Sequence, residues 1–182
     1  MVSKPEGVEN SMVKGEGNVI TLGEGSRLTR VHIEGHRNRI NIGARCLLNG
    51  QIIIKCSDGL IEIGDATTAM GIKIHMHESS RIIIGRDCMF SGGIWMDTSD
   101  NHSIIDVASG KRINPCKPIE IGEHVWVGQQ STILKGATIG SHSVIGAGSM
   151  VRGVIPDHSL AVGSPAKVIR DGVTWDRRRL PV

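Results

Sequence analysis

The sequence predicts an all-β protein, a parallel β-helix in which the chain turns a corner every six residues. Three repeating features support this class. Aliphatic residues recur with a six-residue spacing at Ile121, Val127, Ile133, Ile139, Ile145 and Val151. A glycine directly follows four of them, at Gly122, Gly128, Gly140 and Gly146. A small or β-branched residue stands four places after the first five, at Val125, Ser131, Ala137, Ser143 and Ser149. A six-residue period fits neither an α-helix nor a flat strand, and three such hexads would complete one triangular coil.

Each position of the hexad has a distinct predicted task. The aliphatic side chain points into the prism, the glycine relieves crowding at the corner, and the small residue fits the narrowing interior. Cys46 and Cys88 each stand four residues after an Ile-Gly pair, in the small inward position. We therefore expect both to be reduced core residues rather than parts of a disulfide framework.

The repeat continues upstream in a looser form. Apolar-Gly pairs recur at intervals of 20, 21 and 21 residues, at Leu22-Gly23, Ile42-Gly43, Ile63-Gly64 and Ile84-Gly85. The next pair, Ile121-Gly122, follows after 37 residues, which leaves about one coil's length of excess chain. We predict about seven coils with a loop thrown out at about residues 96–118. A long loop in a compact solenoid is usually functional.

The predicted organisation has three parts. Residues 1–16 form an N-terminal segment, residues 17–170 form the β-helix with its loop, and residues 171–182 form a polar tail. Because a solenoid leaves open strand edges at both ends, the two terminal segments are expected to cap them.

Composition excludes several classes of protein. The net charge is +3 with acidic and basic residues mixed, which is too mild for nucleic acid to be the expected partner. No run is apolar and long enough for a membrane span. The first residues lack the apolar core of a signal peptide, so we expect a cytoplasmic protein. Tyrosine is absent and phenylalanine occurs once, which suits a narrow aliphatic interior.

Three stretches together resemble a known family: IGEHVWVG at 121–128, IGSHSVIGAGSMV at 139–151 and AVGSPAKVIR at 161–170. They are similar to hexapeptide-repeat acyltransferases, and most like the sugar and polysaccharide O-acetyltransferases related to galactoside and maltose acetyltransferases. The resemblance implies a left-handed β-helix, a homotrimer of about 58 kDa with active sites between subunits, acetyl-CoA as co-substrate and a carbohydrate acceptor. The loop sequence TSDNHSIID looks more like enzymes that acetylate capsule, O-antigen or exopolysaccharide sugars.

The resemblance also implies site residues. His102, in the loop, matches the catalytic histidine of the family, and Trp126 matches the tryptophan near the thioester. The remaining matches are expected to contact coenzyme A, with the last two near its nucleotide phosphates: Gln129, Ala147, Arg152, Gly153, Lys167 and Arg170.

The expected chemistry is direct acetyl transfer. His102 would act as general base on the acceptor hydroxyl and then as acid toward the leaving thiolate. No serine or cysteine stands beside a base, so no acyl-enzyme is expected. Of the nearby carboxylates, Asp97 is our choice to orient the imidazole. His75 and His77 alternate on one strand face and could bind a metal, but no third ligand is evident and no metal is expected. We expect them instead to line the outer wall that faces a loop of a neighbouring subunit.

Other interpretations remain open for the same residues. His102 could be an ordinary polar loop residue, Trp126 could pack at a trimer seam, and Lys167 and Arg170 could simply solvate the C-terminal edge. The arginines at 177–179 read most simply as a solvated tail, or they fold with Trp175 over a neighbouring nucleotide. Alternative functions are N-acetylation of an amino sugar, acetylation of a xenobiotic, or a non-catalytic β-helix scaffold.

Overall fold

The computed structural model describes residues 6–181, and its nineteen strands wind into a triangular prism. Three faces of stacked parallel strands enclose one apolar core, and we label these faces A, B and C in the order in which the chain visits them. The described residues contain no helix that is long and apolar enough to cross a membrane.

Face C is a separate seven-stranded sheet with one strand from each turn. Its strands are β2 (Val19–Leu22), β4 (Arg39–Ile42), β6 (Leu60–Ile63), β8 (Arg81–Ile84), β11 (Ile119–Ile121), β14 (Thr138–Ile139) and β17 (Val154–Ile155). The seven strands confirm the predicted number of coils.

Faces A and B form one continuous sheet in the first turns, because long strands bend across the corner between them. These strands are β1 (Val8–Lys14), β3 (Arg27–Glu34), β5 (Leu47–Ile54) and β7 (Thr68–Met76). The register shifts at the bend, between Leu28 and Arg30 and between Leu48 and Gly50. Gly50 is required there, because a Cβ on it would lie 1.9 Å from the Ile72 carbonyl oxygen of the next turn.

The later turns use separate short strands for the two faces. Face A continues through β9 (Met89–Phe90), β12 (Trp126–Val127), β15 (Val144–Ile145) and β18 (Ser159–Gly163). Face B continues through β10 (Ile94–Asp97), β13 (Thr132–Leu134) and β16 (Met150–Val151). The last strand, β19 (Ala166–Asp171), turns back and pairs antiparallel with β18.

The core follows the hexad rule. The inward aliphatic positions are buried along the whole prism, and Phe90, the single phenylalanine, is 1% exposed among them. Cys46 and Cys88 are fully buried free thiols, as predicted. Burial raises the pKa of the Cys88 thiol to about 12, which keeps it protonated and inert.

Residues with a positive φ, in the left-handed backbone conformation, form the three corners. The corner from face C to face A, corner CA, has a positive φ at Gly25, Arg45, Ala66, Asp87, His124, His142 and His158. The corner from A to B, corner AB, has one at Gly93, Gln130 and Gly148. The corner from B to C, corner BC, has one at Gly17, Arg37, Asp58, Gly136 and Gly153. Many of these residues are not glycine, so the corner glycine of the hexad is only part of the turning signal.

The solenoid begins earlier than the predicted boundary at residue 17. Strand β1 already pairs in parallel with β3, from Val8 opposite Leu28 to Lys14 opposite Glu34. Within β1 only Val8 is fully buried, so this terminal coil carries no Ile-Gly pair that sequence reasoning could detect. Residues 1–5 of the predicted N-terminal segment lie outside the described residues.

The C-terminal tail folds back onto its own prism, which corrects the simplest interpretation for Arg177, whereas Arg178 and Arg179 are exposed as that interpretation expects. Trp175 is 8% exposed, stacks on the His124 ring at 4.3 Å between centroids, and donates its indole N–H to the His124 carbonyl oxygen at 2.7 Å. Arg177 reaches the Asp87 carboxylate at 3.0 Å and donates to Thr68 Oγ1 at 3.0 Å. The tail is therefore docked over corner CA and the adjoining part of face A.

We expect Arg177→Ala to lower the free energy of unfolding by about 1–2 kcal/mol, because Asp87 and Thr68 lose the half-exposed guanidinium group that donates hydrogen bonds to them. The tail should also become more sensitive to limited proteolysis. Arg179 is exposed and serves as the matched control, since Arg179→Ala should leave both readouts unchanged. Equal effects of the two substitutions in thermal melts would contradict the docking role of Arg177.

Candidate active site

A single long loop leaves the prism at corner BC. It occupies residues 98–118, between the end of β10 at Asp97 and the start of β11 at Ile119. Met96 and Asp97, which we had assigned to the loop, belong to β10 and pair with β7 and β13. The excess length in the repeat thus located the loop to within two residues.

His102 lies on this loop with its imidazole exposed and its backbone held at both ends. Its N–H donates to the Asp100 carbonyl oxygen at 2.7 Å, and its own carbonyl oxygen accepts from Asn114 Nδ2 at 2.8 Å. No residue of 6–181 hydrogen-bonds the His102 ring. The ring is therefore available to a ligand while its main chain is fixed.

One half of the polar network that fixes the loop is centred on Glu78, just after β7. Arg112 donates two hydrogen bonds to the Glu78 carboxylate, from Nη1 to Oε2 at 2.6 Å and from Nη2 to Oε1 at 2.7 Å. Ser99 Oγ donates to the same carboxylate. The hydrogen bonds from Arg112, which contribute most, and from Ser99 lower the pKa of Glu78 to about 2. The Glu78–Arg112 pair is therefore fully ionised near neutral pH.

The other half is centred on Asn114, which is 7% exposed. Its Nδ2 donates to Asp100 Oδ2 at 2.8 Å, and its Oδ1 accepts from the Ile104 N–H at 2.7 Å. Lys135 Nζ binds the Asp100 carboxylate and the Asn114 carbonyl oxygen, the latter at 3.1 Å. We refer to these residues together as the loop clamp: Glu78, Ser99, Asp100, Arg112, Asn114 and Lys135. Sequence reasoning weighed Asp100 only as a possible partner of His102 and missed the other five, because no spacing or motif links them.

Asp97 does not take the predicted place beside His102. It is 5% exposed, its Oδ1 accepts from the Ser99 N–H at 3.0 Å, and it makes no hydrogen bond to His102. Instead it faces His75 and His77 on the outer side of face B. Burial is the main cause that raises the pKa of its carboxyl group. Asp97 therefore does not orient the His102 ring within this chain.

The predicted coenzyme A residues fall into separate sets. Trp126 lies on face A with 36% exposure, and the exposed Gln129 and Ala147 follow at corner AB on successive turns. Arg152 and Gly153 lie instead at corner BC, which also carries the loop with His102.

The last two predicted residues belong to neither corner. Lys167 and Arg170 are exposed on β19. Face B therefore lies between Trp126, Gln129 and Ala147 on one side and Arg152 and Gly153 on the other.

A groove of about 540 Å³ runs along corner AB below Gln129. Its lining includes Arg30, Gln51, Lys73 and Trp95, together with three glycines, Gly50, Gly71 and Gly93. Trp95 is 36% exposed there, with Lys73 Nζ 5.9 Å from its ring. This groove had no signal in the hexad pattern, since it depends on outward residues of several turns.

Comparison with known proteins agrees with this architecture. Residues 118–153 match the family described as bacterial transferase hexapeptide (six repeats). Over 139 residues the chain is 37% identical to the polysialic acid O-acetyltransferase of Escherichia coli O1:K1 / APEC, covering 76% of this chain and 45% of that protein. The chain thus spans about half the length of that relative.

Solved structures extend the similarity over nearly the whole chain. The polysialic acid O-acetyltransferase OatWY superposes with a TM-score of 0.79 at 25% identity, covering 94% of this chain and 89% of that one. A hexapeptide-repeat acetyltransferase of Vibrio cholerae, VCA0836, solved with acetyl coenzyme A, gives a TM-score of 0.53 at 30% identity and covers 61% of this chain and 60% of that one. From the repeat, the prism, the protruding loop and these similarities, we conclude that the chain belongs to the hexapeptide-repeat acyltransferase family.

Proposed function

We propose that this protein is an acetyl-CoA-dependent O-acetyltransferase that acts on a sugar hydroxyl of a polysaccharide or its precursor. The observation that carries the proposal is the exposed His102 imidazole, without a partner in the described chain, on a loop that the clamp holds rigidly. The relatives support the same class, since one is named a polysialic acid O-acetyltransferase and a neighbour holds acetyl coenzyme A.

In the proposed mechanism His102 removes the proton of the acceptor hydroxyl as its oxygen attacks the thioester carbonyl carbon. A backbone N–H near the turn after Trp126 stabilises the oxyanion of the tetrahedral intermediate. The carbon–sulfur bond then breaks, and the leaving thiolate receives the proton from His102. Direct transfer is favoured because the fully buried thiols of Cys46 and Cys88 are not accessible as alternative nucleophiles.

The separation of the predicted residues supports a site shared between protomers. His102 and Arg152 lie at corner BC, whereas Trp126 and Gln129 lie across face B. A homotrimer would bring corner BC of one protomer against face A of the next and so complete each site. We therefore propose a trimer, in which coenzyme A lies between two copies of the chain.

The groove at corner AB supports an acidic glycan as the acceptor. The exposed Trp95 ring offers an apolar platform for the flat face of a sugar ring. Lys73 and Arg30 add positive charge that would attract the carboxylates of an acidic chain. We propose that this groove binds the acceptor on the protomer that supplies Trp126.

The test is release of free thiol from acetyl-CoA in the presence of a panel of acceptors. The panel includes polysialic acid, a neutral polysaccharide, an amino sugar and a small phenolic drug. We expect acceptor-dependent release with the acidic glycan and a product ester that mild alkali removes. An alkali-stable amide would instead support N-acetylation, and absence of acetyl-CoA binding would support the scaffold alternative.

A subunit-mixing experiment tests the shared site. His102→Ala and Trp126→Ala variants are each expected to be weakly active alone, with Trp126→Ala raising the KM for acetyl-CoA. Refolding or exchanging the two together should restore part of the activity, because some interfaces then combine an intact His102 with an intact Trp126. A mixture no more active than the two variants separately would contradict the shared site.

A further inference from the structure

We propose that His75, His77 and Asp97 form a binding site for a divalent cation of the zinc class on the outer side of face B. The site is independent of the acetyl-transfer proposal, since it rests on a different set of side chains. Zinc-class ions are bound by imidazole nitrogens and carboxylate oxygens, and this cluster offers two of the former and one of the latter.

The strand register brings the three residues together. Asp97 of β10 pairs directly with His75 of β7, and His77 follows two positions after His75 on the same side of the extended chain. The ligand atoms of all three residues lie within 4.8 Å of one another. This is the third ligand that reading along the chain did not find, because it comes from the adjacent turn.

Two of the three groups are poorly satisfied without an ion. The His75 Nε2 atom is buried and has no hydrogen-bond partner in the described chain. Asp97 is a nearly buried carboxylate whose Oδ1 accepts a hydrogen bond from the Ser99 N–H. A buried orphan nitrogen and a buried carboxylate each cost free energy, and one bound cation would satisfy both.

The surrounding charges define what the site requires. Lys73 and Lys55 place positive charge near the His75 imidazole. The two lysines repel a cation, so the Asp97 carboxylate is essential for binding. Ligand atoms in a tetrahedral zinc site are about 3.4 Å apart, so the side-chain ends must close in when the ion binds.

An ion at this site would also serve a purpose in the fold. Asp97 is the last residue before the loop of residues 98–118, and Thr98 and Ser99 follow directly. Coordination would therefore tie the start of the loop to face B.

The test uses the full-length protein, freed of metal with a chelator and titrated with Zn²⁺ in a calorimeter without acetyl-CoA or acceptor. We expect one ion per chain with a Kd of about 1 µM or tighter. Co²⁺ should give a visible absorption band and quench the fluorescence of Trp95, whose ring centroid lies 4.3 Å from that of His75. The quenching should disappear in Trp95→Phe while Zn²⁺ binding persists.

Variants decide whether these side chains are the ligands. Asp97→Asn and His75→Ala should each weaken Zn²⁺ binding by at least about 100-fold. Asp97→Asn keeps an oxygen acceptor for the Ser99 N–H, and an unchanged circular dichroism spectrum would show that it folds. His142→Ala is the matched control, because His142 stacks on another histidine, His158, at corner CA.

Wild-type binding weaker than about 100 µM would overturn the proposal. So would binding that survives both substitutions, or that His142→Ala abolishes equally. Because no acetyl donor is present, none of these results depends on whether the protein transfers acetyl groups.

Discussion

Replacing His102 with glutamine should reduce kcat for acetyl transfer by about 100-fold or more, the usual contribution of a general base. Glutamine retains a polar side chain of similar reach but cannot accept a proton at neutral pH. The backbone hydrogen bonds of residue 102 involve only its N–H and carbonyl oxygen, so the loop should keep its conformation. The measurement is thiol release at saturating acetyl-CoA with the best acceptor of the panel.

The KM for acetyl-CoA should change little in His102→Gln, because Trp126 and Gln129 remain intact on face A and corner AB. His36→Gln is the matched control, since His36 is an exposed histidine outside the loop. Wild-type kcat in His102→Gln would remove this residue from the mechanism and leave the loop without a base.

The hexad pattern predicted the fold because its chemistry is local. Whether an Ile or Val side chain points inward depends on the residues next to it in the hexad. Because the same local pattern repeats along the chain, it builds seven coils. The loop was equally visible, since any insertion breaks the period. His102 could be singled out only through the family resemblance, because one histidine in a polar loop carries no distinctive spacing.

Many of the contacts that sequence reasoning missed join different turns. Glu78 and Arg112 are 34 positions apart, and Arg177 meets Asp87 across 90 positions. Asp97 and His75 are paired across adjacent strands, so their proximity depends on the register of the coil rather than on either strand. The N-terminal coil was missed for another reason, since a terminal strand with one fully buried residue lacks the apolar pattern.

Breaking the loop clamp should impair catalysis without removing any reacting group. In Arg112→Ala the paired hydrogen bonds to Glu78 are lost, together with the bond from Arg112 Nη2 to the Asn114 carbonyl oxygen. We expect kcat to fall by about 10–100-fold, because a displacement of about 1 Å at the base is enough for such a loss. Arg112→Lys should recover only part of it, since a lysine cannot make the paired contact.

A second ion pair provides the control for this effect. Arg81 binds Glu120 Oε1 at 2.7 Å on face C, and within the described residues neither side chain hydrogen-bonds the loop. Arg81→Ala should therefore leave kcat unchanged. An equal loss of kcat in Arg81→Ala and Arg112→Ala would show a general loss of stability rather than a positioning role for the clamp.

The clamp also predicts how the loop responds to acid. The pKa of Glu78 is lowered from 4.5 to about 2, so its ion pair stabilises the folded loop fully above the ordinary value. That stabilisation is lost progressively as the pH falls from 4.5 toward 2.

Cleavage by an acid protease within residues 98–118 should increase over this range in the wild type. In Glu78→Gln the loop should already be sensitive to the protease at pH 4.5, and cleavage should increase little as the pH is lowered further. A loop that resists cleavage equally in both proteins would mean that Glu78 does not hold it.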